Sequence, residues 1–589
     1  MSVLILMMST SAALPALADH IAGTGELGGK VSAPKEFKAA KIFAHLTGKN
    51  ITYMVFTQNG VYRAVNVMPG AYEVWAEQPG FVSDRTTVVV ASEKTATADI
   101  VFKTAPLEPA YIGAHRSDRK VEAFDQIYPP GPGRDILGRT CFVCHGWNFL
   151  PGMPQAREGW GAVVDYMTTS PRFGIKGEAP FLSPDRLPAA DREVLLDYLA
   201  RNIGADAPIR VVAGVPDAPK DEAVLGQAQY MQYSLPNTAQ LTHRSLHDVG
   251  FDKKGNVWVT NVRVEGAITR IDPRTGAYQD YPTPNKGWMP HGIAVDADGT
   301  VWFAALRAGL GHFDPVTGKF DIYGKRSKNN GALSVILDSK GNAYWTDIRV
   351  NEIGRWERKT NTWKAYKSPS LEASPYGIVV DQKDKVWYAE FHACAVVRFD
   401  PDTEQLKQFR SPSAPCTIRR PAVDSKGNVW YGVWDKGRLE RLNPTTGEVK
   451  QFQSPVPFAN PYDTWVDSND IVWSSSDNYL IRLDPVSGAM SYYPTPTRTD
   501  EPKITITRDG AVWWGPRGFT TAGGSPASAE VLYPDKTKMK TFAAYFWDRD
   551  PNANSLRHTG PSVKVAGTGT ESGSPKSLEG PSDIGQAAD

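Results

Sequence analysis

The sequence has few cysteines, no excess of either charge and, beyond its first residues, no long apolar run. Its 589 residues include only four cysteines, and 65 basic residues balance 64 acidic ones. No basic stretch with interleaved aromatic residues is present, which argues against nucleic-acid binding. No apolar run of about 18 residues follows the N-terminal segment, so we expect no membrane span once that segment is cleaved.

The N-terminal segment has the pattern of a secretion signal. Residues 3–17 form a mainly apolar core, and Ala16-Leu17-Ala18 before Asp19 forms a small-x-small cleavage site. The segment lacks the lysine or arginine that usually precedes such an apolar core. We expect residues 1–18 to be a signal peptide and the mature protein to be periplasmic.

Two of the cysteines lie in the pattern Cys141-Phe142-Val143-Cys144-His145. Two thiols at this spacing can both add to the vinyl groups of a haem, and the histidine that follows then faces the iron. No second cysteine pair lies nearby to complete a zinc site. The pattern predicts one covalent haem c, with His145 as the proximal iron ligand.

The residues around this pattern resemble the cytochrome c family. Gly138-Arg139-Thr140 precedes the pattern, Gly146 follows it, and residues 192–200 have the spacing of a late amphipathic helix. The resemblance implies a short α-helical haem domain over residues 120–205, with a sixth iron ligand from further along the chain.

Two methionines follow the haem pattern. Met153 is too close to His145 to cross the haem plane, whereas Met167 ends a Trp-x-x-x-Val-x-x-Met run that similar haem domains share. We expect Met167 to be the distal ligand, with packing in the core as the alternative. His/Met ligation would indicate electron transfer, and an open sixth position would indicate peroxide or oxygen chemistry.

Residues 25–105 have the alternation of short strands separated by turns. The turns are Asn59-Gly60, Pro69-Gly70 and Pro79-Gly80, and they predict a small β-sandwich. Residues 57–81 resemble the carboxypeptidase regulatory-like domain, which shares its fold with some carbohydrate-binding modules. This domain is either a packing module without a ligand or a sugar-binding module.

Residues 228–543 form a repeat array. Seven tryptophans, each in an apolar strand after an Asp-x-x-Gly-like turn, recur at intervals of roughly 40–44 residues, the length of a four-stranded propeller blade. They are Trp258, Trp302, Trp345, Trp387, Trp430, Trp473 and Trp513. We expect a seven-bladed β-propeller, closed by residues 230–236 or by residues 538–543. Residues 551–589 are rich in glycine, serine and proline, which predicts a disordered tail.

The repeats resemble the virginiamycin B lyase (streptogramin lyase) family. Pro290-His291-Gly292-Ile293 and Pro375-Tyr376-Gly377-Ile378 each precede a Trp-aromatic pair in the manner of that family. The family's Glu-x-His turn supplies a metal ligand and a general base, and Glu390-Phe391-His392 matches it. Arg349 stands where the family's second histidine is expected, which puts lyase chemistry in doubt. Propellers host many functions, so the resemblance implies the fold more strongly than the activity.

Inner strands of a propeller start at its central channel. The residues expected to converge there are His247, His291, Tyr376, Arg419 or Arg420, and Tyr462. Second strands end on the same face, at Asn261, Asp347 and Glu390, with His392 just beyond. A divalent metal held by His247, His291, Glu390 and His392 would supply a redox centre in the channel.

The remaining cysteines are Cys394 and Cys416. In an oxidising compartment we expect them to form a disulfide; two free buried thiols are the alternative.

These features predict a mainly β multidomain protein: a small β-sandwich, a short α-helical cytochrome c domain and a seven-bladed β-propeller. The predicted function is that of an exported haem oxidoreductase. The propeller would bind, and oxidise, a small-molecule substrate, and the haem would exchange electrons with a periplasmic partner. The alternatives are a lyase of streptogramin-lyase type with an accessory haem domain and a non-enzymatic electron-transfer protein.

Overall fold

The computed structural model describes most of the chain between residues 20 and 545. The described ranges are 20–106, 120–143, 145, 147–171, 176, 180–182, 186–213, 218–324, 331–371, 373–457, 459–476, 478–497, 500–517 and 527–545. The predicted signal peptide, Cys144 and the predicted C-terminal tail lie outside the described residues.

The N-terminal region consists of short strands, as the alternating pattern predicts. The strands are β1 (Gly25–Ser32), β2 (Lys41–Leu46), β3 (Ile51–Phe56), β4 (Val61–Val67), β5 (Gly70–Gln78), β6 (Phe81–Ser83), β7 (Thr86–Val90), β8 (Thr95–Thr97) and β9 (Ile100–Thr104). β2 pairs antiparallel with both β3 and β5. Gly60 and Gly80 follow Asn59 and Pro79 in the predicted turns and have φ of 73° and 81°, a conformation that glycine adopts without strain.

A helical segment follows. Its elements are β10 (Lys120–Glu122), α1 (Phe124–Ile127), α2 (Pro132–Arg139), α3 (Arg157–Thr169), α4 (Ala189–Asn202), β11 (Arg210–Val212) and α5 (Glu222–Leu225). α4 confirms the predicted late helix. Its buried face contains Leu195, Leu196, Tyr198 and Leu199, whereas Val194 is exposed. In the described part of the chain, no helix is both long and apolar enough to cross a membrane.

The repeat array forms six separate four-stranded antiparallel sheets, here called blades 1 to 6. The array opens with β12 (Gln229–Leu235). Blades 1 to 3 are β13 (Leu246–Phe251), β14 (Val257–Asn261), β15 (Ala267–Ile271), β16 (Tyr278–Pro282); β17 (Pro290–Val295), β18 (Val301–Ala305), β19 (Gly309–Asp314), β20 (Lys319–Tyr323); and β21 (Ala332–Leu337), β22 (Ala343–Asp347), β23 (Glu352–Glu357), β24 (Thr362–Lys367).

Blades 4 to 6 repeat the arrangement. They are β25 (Pro375–Val380), β26 (Val386–Glu390), β27 (Ala395–Asp400), β28 (Gln405–Arg410); β29 (Ile418–Val423), β30 (Val429–Val433), β31 (Arg438–Leu442), β32 (Val449–Gln453); and β33 (Thr464–Val466), β34 (Val472–Ser476), β35 (Tyr479–Leu483), β36 (Met490–Pro494). Three more strands follow: β37 (Asp500–Ile506), β38 (Val512–Arg517) and β39 (Ala527–Tyr533).

The repeated tryptophans all lie in second strands and are buried. In four blades the indole N–H donates to the aspartate that follows the inner strand. These pairs are Trp258–Asp252 at 3.0 Å, Trp387–Asp381 at 3.0 Å, Trp430–Asp424 at 2.9 Å and Trp473–Asp467 at 3.1 Å. A buried indole N–H needs an acceptor, and this requirement explains why Asp and Trp recur together.

The ring closes through a larger sheet, so the prediction of seven separate blades is corrected to six. β37, β38, β39 and β12 pair in that order, and β12 also pairs with β3, which joins them to the N-terminal strands in one 13-stranded sheet. β37 contacts the inner strands β33 and β13 on either side. The predicted closing segment 230–236 is therefore confirmed, whereas residues 538–543 form no strand.

Candidate functional site

The starts of the inner strands converge on the propeller axis, as the repeat pattern predicts. The rings of His247 and His291 have centroids 3.7 Å apart. The hydroxyls of Tyr376 and Tyr462 lie 2.8 Å apart. We call these four residues, together with Arg419 and Arg420, the axis cluster.

A buried ionic network holds one side of the axis cluster. Lys503 on β37 donates to Asp248, whose other carboxylate oxygen lies 2.6 Å from Nδ1 of His247 and 3.6 Å from Arg420. Burial by itself would raise the pKa of Asp248, but the charges of Lys503 and Arg420 and the bond to His247 hold it well below its usual range. Sequence reasoning missed Asp248 and Lys503, although Asp248 directly follows a predicted channel histidine.

His247, Asp248 and His291 could together hold a metal ion. One potential ligand atom from each residue lies within 4.8 Å of the others. Nδ1 of His291 lies 2.8 Å from the carbonyl oxygen of Leu333, so this nitrogen carries the proton and Nε2 faces any ligand. Of the predicted ligands, this group contains His247 and His291 but neither Glu390 nor His392. The two cations beside Asp248 disfavour a divalent ion there, so a propeller metal stays a prediction.

Arg419 lies in a cage of aromatic rings on the other side of the axis cluster. Its guanidinium carbon is 4.4 Å from the ring centroid of Trp434, 4.8 Å from that of Tyr462, 5.0 Å from that of Phe391 and 5.7 Å from that of Tyr376. Cation–π attraction is strongest when such a group is desolvated, and Arg419 is only 7 % exposed. Phe391 and Trp434 were not predicted, because neither lies at the start of an inner strand.

The haem pattern lies against this aromatic cage. The hydroxyl of Thr417 donates to the carbonyl oxygen of Val143, inside the pattern. Trp147 stacks on Trp434 with centroids 6.1 Å apart and ring planes at 11°. The helical segment therefore covers the propeller face beside Arg419.

The described part of the pattern has a backbone turn compatible with haem attachment, and the haem itself stays a prediction. The backbone N–H of His145 donates to the carbonyl oxygen of Cys141 at 2.9 Å, which places the two residues one helical turn apart. Burial, and next the charge of Arg419, lower the pKa of His145 to about 4, so the imidazole is neutral as iron ligation requires. An apolar cluster that includes Phe142, Leu150, Trp160 and Leu196 surrounds the turn.

Of the two methionines, Met167 is half-buried on α3 and Met153 is 36 % exposed. The carbonyl oxygen of Met167 accepts a hydrogen bond from the N–H of Leu182. Its assignment as the distal ligand stays a prediction.

Glu390 and His392 lie on one turn of blade 4, as predicted, but both are engaged in other contacts. The buried carboxylate of Glu390 accepts hydrogen bonds from the Ser368 hydroxyl at 2.6 Å, from the N–H and hydroxyl of Ser370 at 3.1 and 2.8 Å, and from the Gln408 amide. Glu440 is held in the same way by two serines and a glutamine. Ser368 and Ser370 lie in the loop between β24 and β25, and Gln408 lies on β28. The repetition indicates that Glu390 ties the loop that enters its blade to the outer strand.

The imidazole of His392 lies under the helical segment. Its Nδ1 is 2.9 Å from the hydroxyl of Ser374, and the edge of its ring meets Phe181 with centroids 6.3 Å apart. Arg186 donates to its carbonyl oxygen at 2.8 Å. His392 is 6 % exposed, so a proton acceptor at this position is shielded from solvent.

Asp347, predicted to line the channel, also bonds within its own blade. Its carboxylate accepts from the backbone N–H of Gly331 at 3.0 Å and of Arg349 at 3.1 Å. Asn261 accepts from the N–H of Ser245 in the same manner, at 2.8 Å. Side chains at the ends of these second strands therefore hold the loops that lead into the inner strands by hydrogen bonds.

Cys394 and Cys416 form a disulfide, as predicted, with Cα atoms 5.0 Å apart. Both residues are fully buried. The bond joins the turn after β26 to the loop before β29, and Thr417, which contacts the haem pattern, is the next residue along the chain. The disulfide therefore links blades 4 and 5 directly beneath the helical segment.

The blades around the axis cluster define the protein as one that carries a β-propeller. The propeller is similar to the virginiamycin B lyase family, whose model matches residues 227–483. No curated protein matches the chain.

Several solved propellers resemble this one. They include an inactive variant of virginiamycin B lyase from Staphylococcus aureus with quinupristin, at 20% identity over 51% of this chain and 99% of that chain, with a TM-score of 0.45. A streptogramin B lyase structure has 19% identity over 52% of this chain and 97% of that one, with a TM-score of 0.46. The WD40 β-propeller domain of Doa1 has 12% identity over 52% and 98%, with a TM-score of 0.42.

Proposed function

We propose that this chain is an exported haem c protein whose helical segment and propeller form one redox unit. Cys141 and Cys144 would carry the haem and His145 would hold its iron, with Met167 as the distal ligand. The haem, when bound, supplies one-electron transfer at its iron. The propeller face at the axis cluster, here called the propeller mouth, would bind a small-molecule substrate. A periplasmic partner would exchange electrons with the protein.

One observation carries this proposal: the Cys-x-x-Cys-His turn lies on the propeller face beside Arg419. Thr417 holds the backbone of the turn at Val143, and Trp434 packs on Trp147. A cytochrome that merely shared a chain with a propeller would need no such contact. The arrangement supports electron exchange between a substrate in the propeller mouth and the haem, because the two would lie close together.

The experiment is a spectrum of the full chain exported by a host that attaches haem c. The reduced protein should show an α band after removal of unbound haem, and Cys141→Ala should weaken covalent attachment. Carbon monoxide should leave the spectrum unchanged if Met167 is a ligand, whereas Met167→Ala should become sensitive to carbon monoxide. A wild-type protein without attached haem would contradict the proposal.

An elimination enzyme of lyase type is the second candidate. It is supported by the family match over residues 227–483 and by the Glu390-Phe391-His392 turn, and for the propeller alone the comparisons favour it. His392 would be the general base. Its burial under Phe181 requires the helical segment to move before a substrate can reach it.

The two candidates respond differently to the same variants. In a lyase, His392→Ala abolishes turnover of a streptogramin B substrate, whereas Cys141→Ala does not. In a redox protein, Cys141→Ala should lower haem reduction by substrate in proportion to its loss of haem. His243→Ala is the matched control, since this exposed histidine lies outside the axis cluster.

A further inference from the structure

Arg419 is the residue at which the axis cluster and the helical segment meet. On the axis side its guanidinium lies over Tyr462 and Tyr376. On the other side it lies over Trp434, the ring on which Trp147 stacks. The buried guanidinium of Arg419 therefore contacts both the axis cluster and Trp434, the ring that packs against the helical segment.

Its surroundings hold this cation in place. Four aromatic rings surround the guanidinium at 4.4 to 5.7 Å. The neighbouring Arg420 is bound at Ser334 and Asp248, and Thr417, two positions earlier, is bound to Val143. The strand start that carries Arg419 is thus fixed to both the propeller and the haem pattern.

The charge of Arg419 lies close to the haem pattern across this contact. Thr417, two positions before Arg419, bonds to Val143 inside the pattern. Trp434, which packs on Arg419, also packs on Trp147 just after the pattern. Water is largely excluded from the interface, because Thr417, Trp434 and Val143 are all buried. Charges interact more strongly in such a setting than in water.

We propose that the fixed charge of Arg419 raises the reduction potential of the haem iron held by His145. Reduction adds one electron to the iron and lowers its charge by one. A fixed positive charge nearby therefore favours the reduced state. The inference rests on the proposed function, since it requires the haem.

The test is a redox titration of the full-length haem protein, followed by its α band. At a fixed solution potential, Arg419→Gln should lower the ratio of reduced to oxidised haem at least roughly tenfold. This equals a fall in the midpoint potential of about 59 mV for one electron. Arg419→Lys, which keeps the charge, should recover a large part of this shift. Arg398→Gln is the matched control, because Arg398 also lies over a tryptophan, Trp387, on the outer part of blade 4.

The outcomes separate the inference from the proposed function. If Arg419→Gln binds haem with an unchanged α band and titrates like the wild type, the inference is wrong and the proposed function stands. The inference is also wrong if Arg398→Gln causes an equal shift. If Arg419→Gln does not fold, Arg419→Lys is compared with the wild type instead. Because the lysine keeps the charge, a fall of more than tenfold in the ratio of reduced to oxidised haem in this variant counts against the inference. A wild-type chain without haem overturns both.

Discussion

The buried network at Asp248 gives the sharpest prediction about stability. Asp248 is 1 % exposed and lies against Lys503 and Arg420. Asp248→Asn preserves the shape of the side chain but removes the negative charge that balances two buried cations. Breaking a buried ion pair in this way costs about 3–5 kcal/mol, so we expect the free energy of unfolding of the propeller to fall by that amount.

The assay is urea unfolding followed by tryptophan fluorescence, which reports on the blades through their buried tryptophans. Asp402→Asn is the matched control. Asp402 pairs with Lys385 at 2.7 Å, but its side chain is 70% exposed, and an exposed pair contributes only about 0–1 kcal/mol. The double variant Asp248→Asn/Lys503→Met should be less destabilised than Asp248→Asn, because it also removes one of the stranded cations.

The dependence on pH follows from the depressed pKa of Asp248. A carboxylate with a lowered folded-state pKa stabilises the fold above its unfolded pKa, about 3.9, and this contribution is lost as the pH falls through the folded value. The difference between the wild type and Asp248→Asn should therefore be constant from pH 5 to 7 and shrink below about pH 4. A loss under 1 kcal/mol at pH 7 would refute the reasoning.

Three other predictions concern closure, cross-linking and a buried lysine. Met231→Pro should lower the unfolding temperature sharply relative to Met231→Leu, because β12 pairs on both sides and a proline in a central strand removes a hydrogen bond of the sheet; equal melting curves would contradict ring closure by this strand. Replacing Cys394 and Cys416 by alanine should reduce stability against urea by about 3 kcal/mol, the effect expected for a bond that spans 22 residues, and a reductant should then have no further effect. Burial, and next the charge of Arg63, lower the pKa of Lys536 to about 8; the unfolded chain therefore binds more protons between pH 8 and 10.5, and stability should rise by roughly 3 kcal/mol over that range. Lys536→Met should lack this rise, and a wild type without it would contradict the assigned pKa.

Much of the propeller was predictable because its signals are local and repeated. The spacing of the tryptophans reflects the length of one blade, and the Asp–Trp hydrogen bond links residues six positions apart. The starts of the inner strands converge because every blade begins at the axis. In agreement with this rule, His247 lies against His291 and Tyr376 against Tyr462, whereas their role in binding stays a prediction.

At the ends of the second strands the repeat pattern did not reveal the hydrogen-bond partners. Glu390 and Asp347 lie at the ends of second strands, and the sequence suggested ligands of a site. Their carboxylates bond to a glutamine, to serines of the loop that enters the blade and to backbone N–H groups. A sequence shows that a carboxylate is present but not how many donors surround it.

The sequence by itself determined the repeat, the disulfide partners and the Cys-x-x-Cys-His pattern, because each depends on residue type and short spacing. Only the tertiary structure decided how the ring closes, which partner balances Asp248, and where the haem pattern lies. Lys503 is 255 positions from Asp248, and Thr417 is 274 positions from Val143. Contacts between residues so far apart form only when the sheets pack, so they leave no periodic trace in the sequence.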